Sequence, residues 1–259
     1  MMINKSPPKH AIDGDAVVKE ALRRIEQPSR RLFLRRSLTL GGLSLLTGCA
    51  IVGEDSVEKA LMKISRFNDK VQGWLFDPNQ LAPTYPESMI TRPFPLNAYY
   101  SEDEVRQVDA ESYRLEVAGM VADKHAWTLP ELQSLPQIDQ VTRHICVEGW
   151  SAIGKWGGVP FARFLGAIGA DTTAKYVGFK CADDYYTSID MATALHPQTL
   201  LTLSYDGQVL PPKYGFPMKL RMPTKLGYKN PKHIQAIFVT NTYPGGYWED
   251  QGYNWFGGS

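Results

Sequence analysis

Arg143-His144-Ile145-Cys146-Val147-Glu148-Gly149-Trp150 is the stretch from which the rest of the chain is read. Ile145 and Val147 are β-branched. A period of two puts His144, Cys146 and Glu148 on one face and Arg143, Ile145 and Val147 on the other. Gly149 then breaks the alternation. The octet predicts a strand, Gln140 to Val147, running into a turn with a lone cysteine near its end. Such a thiol serves as inert packing, as a nucleophile or as a metal ligand, and the octet alone leaves all three open.

Outward from the octet, short elements alternate with turns. Tyr113 to Val121 alternates as a strand that ends near Gly119. Thr128 is placed to cap a short helix, with Pro130 in its first turn. Pro160 to Ile168 reads as a helix that Gly169 ends, with Phe161, Phe164, Leu165 and Ile168 on one face. Lys175 to Cys181 and His233 to Val239 alternate as strands, and Asp190 to Leu195 is a short helix. Leu200 to Tyr205 and Gln208 to Leu210 flank Asp206-Gly207, a strong two-residue hairpin signal. Upstream, residues 54–76 predict a helix packed on the main domain. Its apolar positions are Val57, Leu61, Ile64, Val71, Trp74 and Leu75. Pro78, Pro83 and Pro86 follow as an extended linker. Many short strands with short helices and Pro/Gly turns predict an α+β fold with mixed sheets. No glycine fingerprint opens a βαβ unit, which argues against a nicotinamide-binding fold. Zinc spacings of the HExxH or CxxC kind and the CxxCH haem motif are also absent.

The chain has 259 residues and a formal net charge of +1, unevenly spread. Residues 1–49 carry nine Lys/Arg against four Asp/Glu, a local +5, and the remainder carries nineteen against twenty-three, or −4. An acidic body argues against nucleic acid as a partner. Residues 207–248 nevertheless hold six bases and no acid: Lys213, Lys219, Arg221, Lys225, Lys229 and Lys232. That stretch either attracts an anion or is a solvated face. Three cysteines cannot build a disulfide framework, and Cys146 and Cys181 are taken as reduced.

The basic leader contains Ser29-Arg30-Arg31-Leu32-Phe33-Leu34-Arg35, which reads as a twin-arginine export motif ahead of an apolar run from Leu38 to Val52. That run is too short and Gly-rich for a membrane span. Leu46-Thr47-Gly48-Cys49 is similar to a bacterial lipoprotein box, or is an ordinary cleavage site beside a coincidental cysteine. The expected organisation is a signal peptide over 1–49, a helix and linker over 50–88, and one domain over 89–259. The expected location is the periplasm, with a membrane anchor if Cys49 is lipidated.

Cys146-Val147-Glu148-Gly149-Trp150-Ser151, followed by Lys155-Trp156-Gly157-Gly158-Val159-Pro160-Phe161, resembles the molybdopterin-binding domain of the sulfite oxidase family. The resemblance is nearest its exported bacterial branch, which includes the methionine sulfoxide reductase catalytic subunit. It extends over roughly residues 89–255 and rests on the ordered succession of four segments. It implies a sulfite-oxidase-type fold and a Mo-molybdopterin cofactor, with Cys146 as the protein thiolate on molybdenum and the catalytic residue. It also places Asn97, Tyr99 and Tyr100 against the pterin and Cys181 near the metal. Lys219, Lys225, Gly227, Tyr228 and Lys229 would surround the pterin phosphate, although Lys219 stands where relatives usually carry Arg. Cys181 is otherwise a small buried residue, and the two tyrosines are otherwise core aromatics.

The implied activity is two-electron or oxygen-atom transfer on a small molecule, an S- or N-oxide or a sulfite-like compound. Electrons would pass to or from a periplasmic or membrane cytochrome or quinone-linked haem protein. Sulfite oxidases of animals and plants follow the cysteine with a Gly-Asn-Arg-Arg-like run. Here Val147-Glu148-Gly149-Trp150 follows, and an acidic Glu148 disfavours a sulfite dianion. The methionine sulfoxide reductases carry a longer insertion after the strand at Cys181 than this chain has, so the substrate stays open. Two other classes also stay open: a cofactor-free thiol enzyme using Cys146 with His144, and a non-catalytic periplasmic binding domain.

Overall fold

The computed structural model describes residues 54–259. The twin-arginine motif and Cys49 lie outside the described residues. The chain divides into two units, residues 1–61 and Met62–Ser259. Helix α1 (Glu54–Leu75) opens in the first and runs through the start of the second.

Two five-stranded sheets build the second unit. The first comprises β1 (Arg114–Gly119), β2 (Trp127–Thr128), β5 (Tyr176–Cys181), β6 (Tyr186–Asp190) and β10 (Ile234–Thr240). Its order is β2-β1-β10-β5-β6, with β1 parallel to β10 and the other pairs antiparallel. The second sheet comprises β3 (Ile138–Ile145), β4 (Ser151–Pro160), β7 (Leu200–Tyr205), β8 (Gln208–Val209) and β9 (Lys219–Arg221), all antiparallel. Three short helices interrupt the strands: α2 (Leu129–Ser134), α3 (Phe161–Ala167) and α4 (Met191–Leu195). This is the mixed-sheet α+β class expected from the strand and turn signals.

Local chemistry sets the elements. Thr128 accepts from the backbone of Glu131 while the Glu131 carboxylate accepts from the backbone of Thr128, a reciprocal cap that starts α2. Asp206 and Gly207 take φ of 50° and 75°, and the hairpin closes there. Leu115, Phe161, Phe164, Phe179, Leu201, Leu220, Ile237 and Val239 are fully buried in one continuous core. A smaller aromatic cluster of Phe94, Trp156 and Tyr214 lies beside β3 and β4.

The Pro-rich segment is not a free linker. Ala82 donates to Gln198 Oε1 at 2.7 Å, Tyr85 to the Val141 carbonyl at 3.0 Å and Thr91 to the Ile153 carbonyl at 2.8 Å. It meets β3 at Thr84 and Tyr85 and β4 at Thr91. Strand β4 is not among the expected elements, because Gly154, Gly157 and Gly158 lower its propensity. A Cβ on Gly158 would sit 2.0 Å from the Leu201 carbonyl, and the register shifts between Gly157 and Gly158. The glycines permit a close strand approach rather than a loop.

Candidate cofactor site

Cys146 is the first residue beyond β3. Its N–H donates to the Trp150 carbonyl at 2.9 Å, and Gly149 at φ 92° turns the chain into β4. The predicted strand therefore ends one residue short of the cysteine, and the thiol sits in a five-residue hairpin loop. Its Sγ lies 3.6 Å from Glu148 Oε2 and 3.7 Å from Asn97 Oδ1. The Glu148 carboxylate also accepts from Trp150 Nε1 at 2.9 Å. Burial pushes the thiol up, and the Glu148 charge works in the same direction. The protein alone does not favour a thiolate here; a bound metal cation would.

Asn97 Nδ2 donates to the Gly227 carbonyl at 3.2 Å, which ties the segment before β1 to the turn Gly227–Lys229. A Cβ on Gly227 would come within 2.7 Å of His144 Nε2 and 3.1 Å of Asn97 Nδ2. Glycine at 227 thus keeps open the space beside Cys146. Tyr100 donates to Asp183 Oδ2 at 2.9 Å, and Tyr99 donates to the Asp183 carbonyl at 3.0 Å while stacking on Tyr247 at 5.0 Å. Burial raises both phenols, Tyr99 to about 12. Cys146, Asn97, Tyr99, Tyr100, Gly227 and Tyr228 line one pocket together with Glu148, Asp183, Lys232 and Trp248.

Lys232 lines this pocket, whereas Lys219, Arg221 and His144 are buried without lining it. Lys219 and Arg221 come from β9, Lys232 from the segment leading into β10, and His144 from β3. Lys219 Nζ sits 4.6 Å from the Trp156 ring, and Lys232 Nζ 4.9 Å from the Tyr100 ring. Arg221 donates to the Arg143 carbonyl at 2.6 Å and to Thr142 Oγ1 and Asn230 Oδ1 at 3.3 Å each, but its Nε has no partner. Both ring nitrogens of His144 and the Nζ of Lys232 are likewise unpartnered. Among the described residues, no carboxylate lies within 4.0 Å of Lys219, Arg221 or Lys232. Burial pushes Lys219 well below the ordinary lysine range and Lys232 down to about 8. Buried cations without counter-ions are expensive, on the order of several kcal/mol each. The arrangement calls for a bound anion.

The structure corrects the assignment of the other two lysines. Lys229 is fully buried and committed to the Glu249 carboxylate, to the Ser188 carbonyl at 2.7 Å and to Thr187 Oγ1 at 3.1 Å. Lys225 donates to the Phe256 carbonyl at 2.9 Å and lies 3.8 Å from Asp190. Both ammoniums are satisfied by partners within the chain, and neither belongs to a solvated face. Counting charges over residues 207–248 misses their partners, because Glu249 lies just past that window and Asp190 before it. Cys181, the last residue of β5, is buried but does not line the pocket; burial and Asp183 raise its thiol well above the usual range. Lys232 and Asp183 are pocket residues that the sequence reading does not assign to the site.

These residues fit molybdopterin. The cofactor carries a phosphate for the unpaired bases and polar pterin edges for His144 and Asn97. Its dithiolene and the Cys146 thiolate are both soft donors suited to one metal. Among the described residues no three His, Cys, Asp or Glu side chains converge on a metal position, so a metal beside Cys146 needs donors from elsewhere.

The fold and this pocket define a molybdopterin-binding oxidoreductase. Residues 102–248 match the family described as the oxidoreductase molybdopterin binding domain, and the chain belongs to that family, within the sulfite oxidase group. It is 78% identical over 251 residues to the putative protein-methionine-sulfoxide reductase subunit YedZ1 of Azospira oryzae, covering 95% of this chain and 96% of that one. It is 32% identical over 161 residues to the protein-methionine-sulfoxide reductase catalytic subunit MsrP of Burkholderia mallei. That match covers 56% of this chain and 49% of the relative, so the chain matches about half the length of that protein. The sulfane dehydrogenase SoxCD of Paracoccus pantotrophus shares the fold at a TM-score of 0.50 and 18% identity, over 53% of this chain and 40% of that one. Family membership removes the cofactor-free thiol enzyme and the non-catalytic binding domain. The geometry agrees for the first: His144 makes no hydrogen bond to Cys146, and the thiol is raised rather than activated.

Proposed function

We propose that this oxidoreductase reduces neutral S-oxides, methionine sulfoxide in peptides and proteins first among them. The sulfur–oxygen bond breaks, two electrons and two protons are taken up, and the products are the thioether and one water. A quinone-linked haem protein in the membrane is the proposed electron donor. The single observation that carries the reading is the wall of the pocket mouth. Trp248 and Tyr99 stand on one side, with ring centroids 6.1 Å apart, and the Glu148 carboxylate stands beside Cys146. Aromatic rings favour the thioether sulfur of the product, while the carboxylate repels a sulfite dianion. The names of the relatives support the same substrate.

Bound molybdopterin supplies the two-electron redox centre. The chain's residues supply the surroundings. Asn97 and Gly227 hold the pterin side open. Lys232, which lines the pocket, would bind the phosphate, and Lys219 and Arg221 would add positive charge from the buried side. Tyr99, Tyr228 and Trp248 exclude water around a sulfur substituent. Glu148 Oε2, held by Trp150 Nε1 and beside Cys146, keeps negative charge at the pocket and so favours a neutral substrate over an anion.

Reduced viologen as donor tests the substrate. The holoenzyme is expected to oxidise it with a methionine-sulfoxide peptide, and to leave sulfite unoxidised with ferricyanide as acceptor. Sulfite turnover without S-oxide reduction would sink the reading.

The proposal extends to location: export by the twin-arginine route, with the chain held at the membrane by lipidated Cys49. Replacing Arg30 and Arg31 by Lys should leave the protein in the cytoplasm on fractionation, and Cys49→Ala should release it from membranes. Normal periplasmic yield of the first variant would reject the export route, and unchanged membrane association of the second would reject lipidation.

A further inference from the structure

Helix α1 packs the wrong way round for an ordinary amphipathic helix. Its inner face is polar. Asp69 is 7% exposed, and its Oδ1 accepts from Asn254 Nδ2 at 2.8 Å and from the Phe256 N–H at 3.2 Å. The Arg66 guanidinium lies 3.8 Å over the Tyr243 ring, and Gly73 faces the Phe256 ring. Several apolar positions face out instead, with Ile64 57%, Phe67 65%, Trp74 81% and Leu75 67% exposed, while Met62 and Val71 are half-buried. Phe67 follows Ile64 by three positions, Trp74 follows Phe67 by seven and Leu75 follows Ile64 by eleven, so the four form one stripe. The same ridge carries two exposed lysines, Lys63 and Lys70, four positions before Phe67 and Trp74 respectively.

We propose that this face of α1 lies on the surface of an anionic phospholipid bilayer. The charge pattern selects that occupant. Lysines flanking an apolar stripe, with tryptophan at its edge, are the signature of a helix seated at the headgroup boundary. Among the described residues no helix is long and apolar enough to cross a membrane, so α1 rests on the leaflet rather than spanning it. The sequence bears the candidate acylation site, Cys49, five positions before Glu54, which would deliver the helix to the same surface. The proposal requires neither that lipidation nor the S-oxide substrate. It gives the enzyme a second contact with the membrane that holds its proposed electron donor.

The test uses holoenzyme carrying Cys49→Ala, so that no acyl chain contributes, with the leader unchanged in every variant. Binding is measured by co-sedimentation with protein-free vesicles of phosphatidylethanolamine and phosphatidylglycerol, and with phosphatidylcholine vesicles. Binding to the anionic vesicles is expected, weakening with salt. Phe67→Ser/Trp74→Ser should lower the partition coefficient at least about tenfold, since two large apolar side chains leave the lipid. Lys63→Gln/Lys70→Gln should remove the preference for anionic lipid. Brominated lipid should quench the parent more than Trp74→Phe, a readout specific to this helix. Unchanged viologen-linked activity and melting temperature show that the variants stay folded. Equal partition of parent and Phe67→Ser/Trp74→Ser overturns the proposal. So does binding to native membranes but not to protein-free vesicles, which would assign the face to a membrane protein. A parent dimer that the double variant abolishes would assign it to a second copy and also overturn the lipid reading.

Discussion

At the scale of single residues, one sulfur and a few unpaired bases define the site. Cys146 is 6% exposed and its loop is closed by backbone hydrogen bonds, so a hydroxyl in its place leaves the loop intact. Cys146→Ser is expected to abolish turnover while changing stability by no more than about 1 kcal/mol, because oxygen is a harder and poorer donor to the metal. Activity at the parent level in a folded Ser variant would remove Cys146 from the metal. Two lysines with opposite environments make a second test. Lys229→Ala leaves Glu249 buried without its partner and should cost about 3–5 kcal/mol in chemical denaturation. Lys232→Gln deletes a buried cation with no carboxylate within 4.0 Å, so it should stabilise the cofactor-free protein while lowering its molybdenum content. The reverse pattern would return Lys229 to the phosphate site. Cys146, Asn97 and Gly227, which line one pocket, are singled out in the sequence because each sits in a short recognisable run. Which of six bases lacks a partner is not legible there. That depends on contacts such as Lys229 with Glu249 and Lys225 with Asp190, which only the fold brings together.

At the scale of elements, the site is the meeting of a hairpin loop, a short turn and the segment before β1. Gly227 is the tightest point. An added methyl there must displace His144 or Asn97, the kind of overpacking that costs about 1–3 kcal/mol. Gly227→Ala should therefore lower the molybdenum-to-protein ratio several-fold more than Gly166→Ala, whose added Cβ meets nothing within 4 Å. Equal ratios would show that the turn does not border the cofactor. Strands with clean alternation, such as β1, β5 and β10, are readable from the chain. Strand β4 is hidden, because its glycines serve packing contacts rather than propensity. Helix α1 is readable in extent but not in orientation. Periodicity locates an apolar stripe without saying whether protein or something else covers it, and here the buried Asp69 decides which face turns inward.

At the scale of the whole molecule, the cofactor and the fold are linked through protons. Burial lowers Lys225 to about 7 and Lys232 to about 8, whereas both sit near 10.4 in an unfolded chain. Between those limits the unfolded chain binds more protons than the folded one, so stability rises with pH. Below about pH 7 both states are protonated, and the buried charges oppose folding in full. Above about pH 8.5 the raised thiols of Cys146 and Cys181 begin to act the other way, since the unfolded chain then ionises first. The clean window is therefore about pH 6.5 to 8.5. Cofactor-free protein is expected to melt at a higher temperature at the upper end of that window than at the lower. Bound phosphate keeps Lys232 protonated, so the holoenzyme should show a shallower slope. The stabilisation conferred by the cofactor should then be largest near pH 6.5 and shrink toward pH 8.5. Lys232→Gln should flatten the slope of the cofactor-free protein and bring it toward that of the holoenzyme. A cofactor-free protein whose melting temperature is flat or falls across the window would mean that these lysines are compensated, and that the buried bases are not waiting for an anion.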